Sequence, residues 1–198
     1  GKYWQNTGLN SQKNVFIGSS AGNRGTVNGE QTWVTVVGAD AGSRTAIGSF
    51  STIIGGGAGL WSPGQSNTFL GQYAGQGNAN VTTSSNSNVA IGKQALYGHQ
   101  MTTSGNNVAI GPSTLYNTTT GSLNIALGNS ALNDVTSGDN NIGIGFGAGD
   151  LITTADKNIT IGYDAGNNIT TGSNNVIIGG ADAPSATGND QLVIASGD

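Results

Sequence analysis

The chain has 198 residues, 35 of them glycine, with 8% charged residues and a net charge of −4. That balance excludes a charge-rich disordered chain and offers no basic patch for a phosphate backbone, so nucleic acid is not an expected partner. Cysteine is absent, which excludes disulfides and thiolate metal sites, and no apolar run reaches the ~18 residues that would favour membrane insertion as a helix. Apolar residues make up 35%, low for a domain with one thick core but sufficient for a thin core repeated along an axis.

Residues 1–13 precede any repeat and read as an N-terminal extension. Gly1-Lys2-Tyr3-Trp4 does not have the form of a signal peptide, and Gly1 in place of methionine suggests a piece of a larger parent. From there an apolar–x–apolar–Gly block recurs, usually behind an asparagine. It reads Asn14-Val15-Phe16-Ile17-Gly18, Thr35-Val36-Val37-Gly38, Thr52-Ile53-Ile54-Gly55 and Asn67-Thr68-Phe69-Leu70-Gly71. It continues through Asn88-Val89-Ala90-Ile91-Gly92, Asn107-Val108-Ala109-Ile110-Gly111, Asn124-Ile125-Ala126-Leu127-Gly128 and Asn141-Ile142-Gly143-Ile144-Gly145. Asn158-Ile159-Thr160-Ile161-Gly162 and Asn175-Val176-Ile177-Ile178-Gly179 follow, and Gln191-Leu192-Val193-Ile194-Ala195 closes the series. Spacings between the closing residues are 20, 17, 16, 21, 19, 17, 17, 17, 17 and 16. An extra partial block, Thr45-Ala46-Ile47-Gly48, lies in the less regular half. Residues 14–87 therefore read as irregular coils with longer loops and 88–198 as regular coils, one continuous domain.

Short β-branched blocks suit strands. Glycine after each block supplies a positive φ that a Cβ would resist. A small residue three positions on, then Gly or Leu, then Ser/Thr/Gly/Asn stretches with turn chemistry complete each coil. No ten-residue stretch has a helical period. These features predict an all-β parallel β-solenoid of about eleven coils of about 17 residues, stacked ~4.8 Å apart into a rod of about 50 Å. Asparagines at equivalent positions are expected to form ladders along it.

Alternation along a strand sends successive side chains to opposite faces. We expect the first and third block residues to fill the coil and the middle one to face outward: Phe16, Val36, Ile53, Phe69, Ala90, Ala109, Ala126, Gly143, Thr160, Ile177 and Val193. Almost none is polar, and a strand apolar on both faces is normally buried on both. The expectation is lateral association of several rods through this middle row.

The pattern Asn88-Val89-Ala90-Ile91-Gly92-x-x-Ala95-Leu96, repeated in Gly105 to Leu115 and Gly121 to Leu132, resembles the repeats of bacteriophage tail fibres that precede a C-terminal intramolecular chaperone. It is also similar to the head repeats of trimeric autotransporter adhesins. The resemblance covers Asn14 to Ile194, and its period is nearer the tail-fibre form. It implies a left-handed β-roll, a homotrimer about the long axis, and attachment to a host surface through a cell-surface glycan or outer-membrane receptor. It places the protein in the virion or, in the adhesin reading, on the bacterial surface.

No catalytic or metal constellation is recognised, and no cofactor is expected. The single histidine, His99, falls in a turn. Asp134, Asp139, Asp150, Asp156 and Asp164 read as turn aspartates; a pair of carboxylates lining a groove would instead suit a glycan-degrading tailspike segment. Candidates for carbohydrate stacking are Trp33, Trp61 and Tyr73. Tyr97 and Tyr116 each stand five residues beyond a block glycine and should stack one coil apart.

Overall fold

The computed structural model describes residues 13–23, 33–44, 47–62, 64–78, 85–98 and 105–195. The expected N-terminal extension, residues 1–13, lies almost entirely outside the described residues, as does His99. Among the described residues there are eleven three-residue strands: β1 Val15–Ile17, β2 Thr35–Val37, β3 Thr52–Ile54, β4 Thr68–Leu70, β5 Val89–Ile91, β6 Val108–Ile110, β7 Ile125–Leu127, β8 Ile142–Ile144, β9 Ile159–Ile161, β10 Val176–Ile178 and β11 Leu192–Ile194. They form one parallel sheet in chain order, with equivalent residues paired at every step, as in Ala109 with Ala126. The described chain is thus an all-β solenoid of about nine turns. The expected eleven coils is an overcount, although the eleven expected blocks each supply a strand. Among the described residues there is no helix, and so none long and apolar enough to cross a membrane. The partial block at 45–48 adds no described strand; its Ile47 is a buried filler instead.

Each block glycine from Gly18 to Gly162 has φ between +126° and +139°. The space beside it is also taken: a Cβ on Gly111 would lie 2.7 Å from the Gly128 carbonyl oxygen of the next rung. Conformation and stacking therefore both demand glycine here.

The in–out assignment is the reverse of the one expected. Val36, Ile53, Phe69, Ala90, Ala109, Ala126 and Ile177 are at most 1% exposed, Gly143 and Thr160 are buried, and Phe16 and Val193 pack partly buried against the core. The middle row is the interior, so it does not form an outer wall between chains. The physical reason is the alternation itself. Asn124 is buried immediately before the strand, so Ile125 points out, Ala126 in and Leu127 out. A narrow coil has room for only one inward residue per strand.

That room is shared with the residue six positions later. Where the middle residue is Ala, at 90, 109 and 126, the partner is a fully buried leucine, Leu96, Leu115 or Leu132. Where it is Phe16, Val36, Ile53, Phe69 or Thr160, the partner is glycine. A Cβ on Gly75 would sit 2.5 Å from the Phe69 ring. These leucines adopt φ of +53°, +49° and +51°, a conformation disfavoured for a residue with a Cβ and held by the packing around it. Gly143 departs from the rule, being followed by Gly149; Leu132 of the preceding rung leans into the gap, 2.7 Å from where a Gly143 Cβ would be. Val135, Ile152 and Ile169 complete the core from the far side of the coil.

Polar ladders bind the rungs. Backbone N–H groups of Asn88, Asn107, Asn124, Asn141, Asn158 and Asn175 donate to the Oδ1 of the preceding asparagine at 2.8–3.0 Å. Asparagine Nδ2 donates forward to a turn carbonyl of the next rung, as from Asn107 to Gly121, Asn124 to Gly138 and Asn141 to Ala155 at 2.8–2.9 Å. Two residues before each asparagine a second ladder runs the opposite way. The N–H groups of Ser122, Asp139, Asp156 and Ser173 donate to the side chains of Asp139, Asp156, Ser173 and Asn189 in the following rung, at 2.7–3.0 Å. Thr119, Thr136, Thr153 and Thr170 form a third, each hydroxyl donating to a carbonyl one rung on at 3.0–3.3 Å.

Two outcomes follow from this packing. Asn141→Ala strands the Asn158 N–H and the Ala155 carbonyl, and should cost about 2–5 kcal/mol in urea unfolding. Ala109→Phe should destabilise by overpacking against Leu115, and Leu115→Gly by leaving a cavity. Combined, they reproduce the Phe69/Gly75 arrangement, so a double-mutant cycle should give a favourable coupling above about 1 kcal/mol.

Candidate interaction surface

With the middle row inside, the two flanking residues of every strand face solvent. The third-position row reads Ile17, Val37, Ile54, Leu70, Ile91, Ile110, Leu127, Ile144, Ile161, Ile178 and Ile194, aliphatic at all eleven rungs. The first-position row is Val15, Thr35, Thr52, Thr68, Val89, Val108, Ile125, Ile142, Ile159, Val176 and Leu192. Exposure within them reaches 58% at Ile17 and 71% at Ile194. The result is a ribbon two side chains wide that runs the whole sheet. Threonines at β2 to β4 make it more polar there than from β5 onward. The opposite strand phase, expected from the residues alone, hides this ribbon inside the coil.

Aromatic residues flank the ribbon. Tyr97 and Tyr116 stack as expected, with centroids 5.0 Å apart and planes at 19°, and Tyr73 meets Tyr97 edge-on at 6.4 Å. Burial and the neighbouring Tyr116 and Tyr73 push the Tyr97 phenol above its ordinary pKa. Phe146 and Tyr163, each directly after a block glycine, stack at 5.3 Å and remain exposed.

The three carbohydrate candidates do not come together. Trp33 precedes its strand, is 55% exposed and carries the Lys13 ammonium 4.0 Å above its ring. Trp61 lies beyond its strand, half-buried, with the Arg44 guanidinium at 5.6 Å. Tyr73 lies two residues past its block glycine, its ring covering the space beside Gly57. Trp33 is therefore separated from Tyr73 by the strand column.

The aspartates divide by role. Asp139 and Asp156 accept backbone N–H bonds within a ladder. Asp134 accepts from the Asn117 amide at 2.8 Å. Asp150 lies near Asp134 and Asp164, and its carboxyl pKa is raised, first by burial and then by those two charges. No group of three His, Cys, Asp or Glu among the described residues is arranged to hold a metal ion.

No family model matches the chain, and no curated protein or solved structure matches it significantly.

A raised carboxyl pKa means that the folded state favours the protonated acid. Below the ordinary value of 3.8 both states hold the proton and the group is neutral to stability; above it the unfolded chain ionises first and stability falls. Asp150→Asn should therefore raise the unfolding free energy at pH 7, by no more than about 1 kcal/mol after solvent screening, and the urea midpoint with it. The gain should vanish well below 3.8, which a pH series of unfolding curves would read.

Proposed function

We propose that this chain is a structural and receptor-binding segment of a host-attachment fibre, without enzymatic activity. In this reading it is a left-handed β-roll that assembles as a homotrimer about its long axis. It belongs to a viral tail fibre on the virion, and the head of a bacterial trimeric autotransporter adhesin is the other member of the same class. The partner at the host surface is a glycan or an outer-membrane receptor.

The observation that carries this reading is the unbroken aliphatic third-position row, solvent-facing over eleven rungs in a single chain. Contiguous exposed apolar surface of that extent is rare on monomers. Covering one large aliphatic side chain contributes about 1.5–3 kcal/mol, so partial covering of two rows outweighs the freedom lost on association. The threonines of β2 to β4 favour a tighter seam from β5 onward. Stacked Phe146 and Tyr163, together with Trp33, stay beside the ribbon as flat faces suited to a sugar ring.

Light scattering should give about three times the 19.7 kDa chain mass. Ile110→Lys with Ile144→Lys, both outward, should reduce it to one chain mass while the β-type circular dichroism persists. A wild-type chain that stays monomeric at high concentration would remove the proposal. Recognition is read separately, on a glycan array with Trp33→Ala and Tyr163→Ala as controls.

A further inference from the structure

The repeat chemistry changes in a concerted way at β11. In the regular rungs each buried asparagine accepts at Oδ1 from the next rung and donates from Nδ2 to a carbonyl of the rung that follows, Asn141 and Asn158 also donating back to the preceding Oδ1 at 3.2 Å. Gln191 stands in that place and turns back. Its Nε2 donates to the Ser185 and Gly188 carbonyls at 2.9 and 2.8 Å and to Asn175 Oδ1 at 3.1 Å, and its Oε1 accepts from the Ser185 N–H at 2.7 Å. The extra methylene of glutamine allows this reach; Asn175 bonds the same Gly188 carbonyl from the rung below, at 3.0 Å.

The turns change as well. Gly179 has φ +101°, outside the narrow range of the preceding block glycines, and the Ala181 N–H donates to the Gly179 carbonyl at 2.9 Å, closing a tighter turn. Ala195 then takes the glycine place and is not in the positive-φ region. Ala195 therefore lacks the backbone conformation of the preceding block glycines. A Cβ in that conformation could not accept a following rung: on Gly162 it would lie 2.7 Å from the Gly179 carbonyl oxygen.

We infer that Gln191 and Ala195 cap the solenoid, so that the β11 edge does not accept a further in-register rung from a second copy of this chain. An uncapped parallel edge paired with β1 of another copy would be a head-to-tail contact, which propagates without closing. The cap rests on hydrogen bonds within one chain and does not depend on the attachment reading.

The test compares the full chain with Gln191→Asn and with Gln191→Asn/Ala195→Gly. Asparagine is too short to reach the Ser185 backbone, so amide exchange at Ser185 should speed up about tenfold in the single variant, with β5 to β9 unchanged. Rods of the wild type should keep one length at all concentrations by electron microscopy. The double variant should add rods at multiples of that length, at the same width. Wild-type rods that already join end to end, a double variant of single length, or unchanged Ser185 exchange in the single variant would each overturn the cap.

Discussion

A buried carboxamide with its bonds made is the interaction on which this fold rests. Each of Asn67, Asn88, Asn107, Asn124, Asn141, Asn158 and Asn175 is at most 1% exposed, where an unpaired amide would cost more than the side chain's packing returns. Stacking at one strand spacing resolves this, because each side chain meets backbone groups of the next rung at bonding distance. The arrangement has no long-range component: a rung touches its two neighbours and nothing else. Stability is then a sum of nearest-neighbour terms, and the coil sequence must repeat. The first half follows the rule less closely. Val34 and Ser51 occupy the asparagine position at β2 and β3, within the half whose coils are less regular.

Much of this was legible in the residues. The eleven blocks became eleven strands of one sheet, the block glycines took the conformation that only they hold comfortably, and Tyr97 met Tyr116 as their offset required. The expected phase of the strand is the one that fails, although two signals carry the correct one. Asparagines stacked in a dry ladder must face inward, and alternation then sends the middle residue of Asn124-Ile125-Ala126 inward with them. The second signal is the reciprocity of size: Ala109 pairs with Leu115, Phe69 with Gly75. Residues that trade volume share a cavity. By contrast, no sequence pattern marks Ile47 as the filler beside Gly42, since an insertion shifts it out of the repeat.

Correcting the phase strengthens the argument for association. One outward residue per rung would have been interrupted by Ala and Gly; two outward residues form a ribbon without a gap in its third-position row. It also sets the ribbon apart from the aromatic flanks. The ribbon is flanked by aromatics on both sides, so Trp33 and Tyr73 belong to different flanks and cannot jointly hold one sugar. If chains associate along the ribbon as proposed, a receptor contact on either flank would leave that seam undisturbed.

The hydrogen bonds between rungs all lie along the rod. Under tension the rungs are therefore links in series, and the chain would open rung by rung from whichever junction is weakest, as a zipper peels. Bonds arranged this way resist bending and compression better than pulling. A single strand of this material makes a poor tether. Neighbours bound along the aliphatic ribbon, with rungs out of step, would share the pull across many junctions at once.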